Sequence, residues 1–88
     1  MIKWISEAMK HYDDPNLFSV IVVNELFKGD GSLNHNPWSD IEDYVCLAFR
    51  TARAANPDPR VKLMYNDFNI LAEHDWYKPK SDAVFNMV

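Results

Sequence analysis

The residues of this sequence best suited to chemistry are two polar pairs. Asn24-Glu25 directly follows the apolar run Val20-Ile21-Val22-Val23, and Asn66-Asp67 follows the run from Val61 to Tyr65. Asn and Asp are common in turns and at helix starts, so Asn66-Asp67 alone reads first as a turn. Glu is a poor turn residue, and a carboxylate straight after four branched apolar side chains is as readily functional as structural. A glutamic acid so placed suits acid–base work on a glycosidic bond. There one carboxyl group gives a proton to the leaving oxygen and a second attacks or activates water. The donor must stay protonated near neutral pH, which needs burial or a neighbouring negative charge to raise its pKa. The adjacent Asn24 would hydrogen-bond a sugar hydroxyl.

The elements that position these pairs follow from periodicity. Ile2, Ile5, Ala8, Met9 and Tyr12 recur at helical spacing over residues 2–12, and Asp13-Asp14-Pro15-Asn16 ends that helix. Leu17 to Val23 is continuously apolar and β-branched, which predicts a strand buried on both faces. Gly29-Asp30-Gly31-Ser32 is a turn cluster. Ser39-Asp40-Ile41-Glu42 has the form of a capping box, and Ile41, Tyr44, Val45, Ala48, Phe49, Ala52 and Ala55 mark one face of the helix expected after it. Asn56-Pro57-Asp58-Pro59 stops that helix, Val61 to Tyr65 forms a second strand, and residues 70–79 read as loop. Ser81 or Asp82 is expected to cap a last helix. The order helix-strand-helix-strand-helix predicts an α/β fold with parallel strands. Ligands of parallel α/β sheets and barrels bind at the carboxyl ends of the strands, which puts both polar pairs on the same working face. Two strands do not close a parallel sheet, so the 88 residues read as a piece of a larger α/β protein.

Composition narrows the function classes. Nearly half of the residues are apolar and the net charge is −4, with no basic stripe, so a nucleic-acid partner is not expected. No apolar run approaches membrane-spanning length, so no membrane partner is expected. Glu7 and Lys10 interrupt the start and no apolar core follows, so these residues carry no signal peptide. Cys46 is the single cysteine, which rules out an intrachain disulfide and reads as a buried, inert thiol. His11, His35 and His74 lack metal-ligand spacing, so no metal site is expected. The glycines form only Gly-Asp-Gly, which is no nucleotide loop, and no cofactor is expected.

The stretch VVNELFKGDGSLNHNPWSDIEDYVCLAFRTARAANPDPRVKLMYNDFN resembles the middle of a glycoside hydrolase family 10 xylanase. Val22-Val23-Asn24-Glu25 matches the family's strand ending. Asp30-Gly31-Ser32-Leu33, Trp38, Asp43-Tyr44-Val45, Ala48-Phe49, Ala52-Arg53, Pro57-Asp58, Lys62-Leu63 and Asn66-Asp67-Phe68-Asn69 then follow in the family's order and spacing. The tail from Lys80 to Val88 resembles the family's next helix.

The resemblance implies a (β/α)8 TIM barrel, with residues 1–88 a partial barrel holding its fourth and fifth strands within a single catalytic domain. It implies retaining hydrolysis of internal β-1,4 bonds in xylan by a secreted protein. Glu25 would be the general acid/base. Asn24 would bind a sugar hydroxyl, and Asn66, Phe68 and Asn69 would contribute to the leaving-group side of the cleft. Trp38 would pack structurally. The sequence departs from the family where Val20-Ile21 stand in place of Trp-Asp and where Phe68 replaces Tyr. It has no counterpart of the nucleophile Glu after the seventh strand. A barrel of this kind needs about 250 residues. Two other readings stay open: a related β-1,4-glucanase, and a non-catalytic carbohydrate-binding or remnant piece. Without the remainder of the barrel, the 88 residues should hydrolyse no xylan and should aggregate or unfold gradually; a sharp cooperative melt of the monomer would contradict this.

Overall fold

The computed structural model describes residues 1–71 and 76–88. Its elements are α1 (Ile2–His11), β1 (Ser19–Asn24), α2 (Tyr44–Ala55), β2 (Lys62–Asn66) and α3 (Lys78–Met87), in the expected order. β1 and β2 are hydrogen-bonded neighbours. Phe18 O accepts from Lys62 N–H at 2.8 Å and Asn66 O accepts from Glu25 N–H at 2.8 Å, so both chains advance in the same direction and the pair is parallel. Each strand runs one residue further than the sequence suggests, so Asn24 and Asn66 are the last strand residues rather than the first loop residues.

The chain forms two compact units, residues 1–23 with 37–65 and residues 24–36 with 66–88. In the first, α1 packs against α2. Met9, Tyr44, Ala48, Ala52 and Val61 are buried there together with Val23. Ala48 and Ala52 stand four residues apart on one face of α2, and their small side chains allow close helix approach. Arg53 brackets the connection from α2 to β2. Its guanidinium donates to the carbonyls of Asn56 at 3.3 Å, Asp58 at 2.7 Å and Val61 at 2.8 Å. The Asp58 carboxylate in turn accepts from Arg60, which holds the Asp58 pKa down at about 2.

In the second unit the Gly-Asp-Gly turn closes a short hairpin. Phe27 and Leu33 pair antiparallel across it, and Lys28 N–H donates to Ser32 O at 2.8 Å. The Ser32 hydroxyl and N–H both donate to the Asp30 carboxylate, and these bonds hold its pKa below the usual carboxylate range. Among its described residues, Leu26 and Val84 are the buried apolar ones.

Several expectations need correction. No capping box starts α2 at Ser39: residues 37–40 form turns, Ile41 N–H closes onto Trp38 O at 3.0 Å, and α2 begins at Tyr44. Asp43 is the residue before it, and its left-handed backbone (φ 55°) breaks the path from one segment to the other. Ile41 is accordingly exposed. Neither Ser81 nor Asp82 caps α3. The helix starts at Lys78 with a proline in its first turn, Ser81 Oγ donates to Ile70 O at 2.6 Å, and Asp82 pairs with Lys78 at 2.8 Å. Part of the loop expected over 70–79 is therefore helix, and part of it, at 72–75, lies outside the described residues, as does His74. β1 is not buried on both faces: Ile21 is 51% exposed, and Met64 of β2 is 41% exposed, since a two-stranded sheet leaves apolar surface uncovered. Cys46 is exposed rather than buried. Its neighbour Asp43, through a hydrogen bond and its charge, pushes the thiol pKa up, so the sulfur is a poor thiolate for that reason and not through burial.

Gly31 shows how tightly the hairpin is held. Its φ is +83°, and a Cβ added there would lie 2.7 Å from Pro79 O, whereas one on Gly29 would meet only the Tyr77 ring at 3.8 Å. Gly31→Ala should therefore destabilise by about 1–3 kcal/mol, and Gly29→Ala should be neutral or stabilising by up to about 1 kcal/mol. Thermal midpoints of the two variants of the protein that carries this chain check this, and equal midpoints would contradict it.

Candidate functional site

The ends of the two strands bring the first polar pair together with Asn66. Glu25 has φ 50°, a left-handed conformation that a non-glycine residue rarely adopts. Such a backbone costs of the order of 1–3 kcal/mol and persists only where its surroundings over-determine it. Here they do so on both sides of the residue. Glu25 N–H donates to Asn66 O at 2.8 Å, and Asn34 Nδ2 donates to Glu25 O at 3.3 Å. Asn34 N–H also bonds Leu26 O at 2.8 Å, and Leu26 is buried. The main chain of Glu25 is thus clamped while its side chain stays exposed. Asn66 Nδ2 donates to Asn24 Oδ1 at 2.7 Å. That bond fixes the rotation of the Asn24 amide and consumes its acceptor, not its Nδ2 hydrogens.

The loop after β2 is held from α3. Asp67 and Lys80 form an ion pair at 2.7 Å whose side chains are 0% and 1% exposed. The Lys80 ammonium also lies 3.5 Å from the centroid of the Phe68 ring. Phe68 N–H donates to Asp67 Oδ1 at 2.8 Å. The outer part of Phe68 remains open, at 55% exposure. Asn69 follows with φ 58°, a second left-handed residue that ends the loop's forward path.

Of the residues singled out from sequence, Asn24, Glu25 and Asn66 are joined by direct hydrogen bonds. Phe68 is linked to them through the chain and through Asp67, and Asn69 is exposed next to it. Asn66 acts first on Asn24 and on the Glu25 backbone. Sequence reasoning missed Asn34, which stands nine residues beyond Glu25, and it missed Lys80 and Asp67 as a pair. The signal for Lys80 is faint: a lysine within the polar start Lys78-Pro79-Lys80-Ser81-Asp82 reads as an exposed residue unless its partner is known. Among the described residues, no group of three or more His, Cys, Asp and Glu side chains could hold a metal ion. Among them, too, no helix is long and apolar enough to cross a membrane.

The sequence and the fold both have known counterparts. Residues 1–88 match the model of glycosyl hydrolase family 10. The chain is 36% identical over its whole length to endo-1,4-beta-xylanase A of Humicola insolens, of which it covers 22%. It is 39% identical over 96% of its length to endo-1,4-beta-xylanase 5 of Pyricularia oryzae, of which it covers 20%. In structure it resembles xylanase 10B of Thermotoga petrophila, crystallised in complex with xylobiose. That match has a TM-score of 0.81 and 28% identity, and covers 98% of this chain and 25% of the other. The chain therefore spans about a fifth to a quarter of these relatives. Its helices and two parallel strands are those of a partial (β/α)8 barrel.

The strain at Glu25 is open to test without any substrate. Glu25→Gly should raise the thermal stability of the protein that carries this chain, by about 1 kcal/mol, because glycine adopts φ 50° freely. Glu25→Val should lower it by a similar amount, since a β-branched side chain is a poor fit there. A valine variant as stable as the glycine variant would show that Glu25 is not strained.

Proposed function

This chain belongs to glycosyl hydrolase family 10, and we propose from that premise that the complete protein is a retaining endo-1,4-β-xylanase in which Glu25 is the general acid/base. The observation that carries the reading is the carboxylate at the carboxyl end of a parallel strand, on a left-handed backbone clamped by Asn66 and Asn34. Strain of this kind is characteristic of positions where side-chain placement outweighs stability. The xylanase relatives support xylan as the polysaccharide.

In the proposed mechanism Glu25 gives its proton to the glycosidic oxygen as the bond to the anomeric carbon breaks. A second carboxylate, supplied by another part of the barrel about 5–5.5 Å away, attacks the opposite face of that carbon and forms a covalent glycosyl-enzyme. Glu25, now ionised, takes a proton from water, which displaces the second carboxylate and restores the original anomeric configuration. Asn24, with its acceptor already bound to Asn66, donates through Nδ2 to a sugar hydroxyl and strengthens that bond in the transition state. Phe68 and Asn69 form part of the leaving-group side. In this reading residues 1–88 contribute to a single barrel, whose remainder completes the cleft around the exposed Glu25. The 88 residues alone supply one carboxylate of the pair and are inactive. A polymer such as xylan does not enter cells, so the place of action is outside the cell. No cofactor takes part.

In the complete protein, Glu25→Gln should lower turnover of xylan by about 10²–10⁴-fold. The loss in kcat/KM, which reports formation of the glycosyl-enzyme alone, should be much smaller on an aryl xylobioside with a dinitrophenolate leaving group, which departs without a proton. Equal losses on both substrates would remove Glu25 from the acid role, and absence of xylan hydrolysis by the unaltered protein would overturn the xylanase reading.

A further inference from the structure

Lys80 is a charged side chain that the proposed chemistry does not use. It is the largest fully buried side chain among the described residues. A buried ammonium is costly unless it is paired and hydrogen-bonded. Lys80 has both compensations, and both lie in the loop that follows β2: the Asp67 carboxylate at 2.7 Å and the Phe68 ring face at 3.5 Å. Asp67 is itself tied to the Phe68 N–H at 2.8 Å. The ammonium therefore fixes the backbone at Phe68 through Asp67 and the ring of Phe68 directly. One face of that ring rests on the cation while more than half of the residue remains open.

We propose that Lys80 is a positioning residue for sugar recognition: from α3 it holds the Asp67-Phe68-Asn69 loop, and with it the exposed ring face of Phe68, in the place where the leaving-group sugar binds. This rests on the xylanase reading of the same site. The physical reason is that an exposed aromatic ring recognises a sugar well only when something holds it still. A ring free to rotate would give up binding energy to ordering on each encounter, and small misplacements of a binding group cost large factors in rate. The cation–π contact and the buried pair supply the order in advance.

Removing Lys80 alone takes the opposite charge away from the buried Asp67 carboxylate, and that variant is at risk of not folding. The test therefore uses the double variant Asp67→Asn with Lys80→Met in the complete protein, which keeps size and removes both charges, beside Phe68→Ala. Two substrates are compared: a xylo-oligosaccharide that places sugars on both sides of the cleaved bond, and an aryl xylobioside that places an aryl group on the leaving side. The double variant should raise KM for the oligosaccharide, with kcat/KM falling roughly tenfold or more beyond any fall on the aryl substrate. Phe68→Ala should show the same split. Hydrogen exchange of the 66–71 segment should quicken in the double variant, while that of α2 does not change. Equal losses on the two substrates, or none on either, would reduce Lys80 to a structural residue and overturn the proposal. Should the unaltered protein hydrolyse neither substrate, the xylanase reading fails on its own, and the exchange measurement still decides whether Lys80 orders the loop: unchanged exchange at 66–71 overturns that too.

Discussion

Asn66 is the residue on which the rest of the site depends. Its carbonyl accepts from the Glu25 N–H and its amide donates to the Asn24 side chain, so one residue at the end of β2 sets both the backbone of the carboxylate and the rotation of the amide beside it. Parallel strands make this possible. Because β1 and β2 advance in the same direction, their carboxyl ends lie side by side, and a side chain on one reaches the last residue of the other. The left-handed turn at Glu25 then lifts the carboxylate out of the strand's alternation. A regular extended residue there would have continued the strand.

Polar groups hold the site in place. Among the described residues of its unit, Leu26 and Val84 are the buried apolar ones, and the side chains of Lys80 and Asp67 are buried as well. A buried ion pair is seldom the most stable choice for such a position. It does, however, have direction: a carboxylate and a ring face define where an ammonium sits in a way that an aliphatic contact does not. The hairpin at Gly31, packed onto the Pro79 carbonyl, brings the start of α3 under the same constraint.

Much of this was legible in the sequence, and the parts that were not share a cause. The run Val20 to Val23, the Pro-flanked stops and the helical spacing of Ala48 and Ala52 determine element type through local sterics and burial, so the order of elements and the parallel sheet could be read directly. Asn24 and Glu25 stood out because a carboxylate breaks an apolar pattern. The start of α2 was misplaced because Ser39 and Glu42 satisfy a local capping rule that the left-handed backbone of Asp43 overrides. The start of α3 was misplaced because Ser81 spends its hydroxyl on Ile70, a partner eleven residues away. The apolar neighbours of Cys46 predict a core residue, although on α2 it is exposed. The pairing of Lys80 with Asp67 and the clamp by Asn34 depend on contacts across the chain, and no local pattern encodes them. The family resemblance covered what periodicity could not, namely the partial barrel.

The central claim is that Glu25 gives and takes the proton in a retaining displacement. The most direct measurement is the product formed when azide is added to the Glu25→Ala variant of the complete protein acting on a dinitrophenyl xylobioside. With the acid/base removed, the glycosyl-enzyme forms but its hydrolysis stalls, and the small anion enters the space left by the carboxylate. The account predicts faster turnover with azide and a xylobiosyl azide of retained β configuration. An α-configured azide would make Glu25 the nucleophile instead, and no azide product with unchanged turnover would remove it from the chemistry altogether.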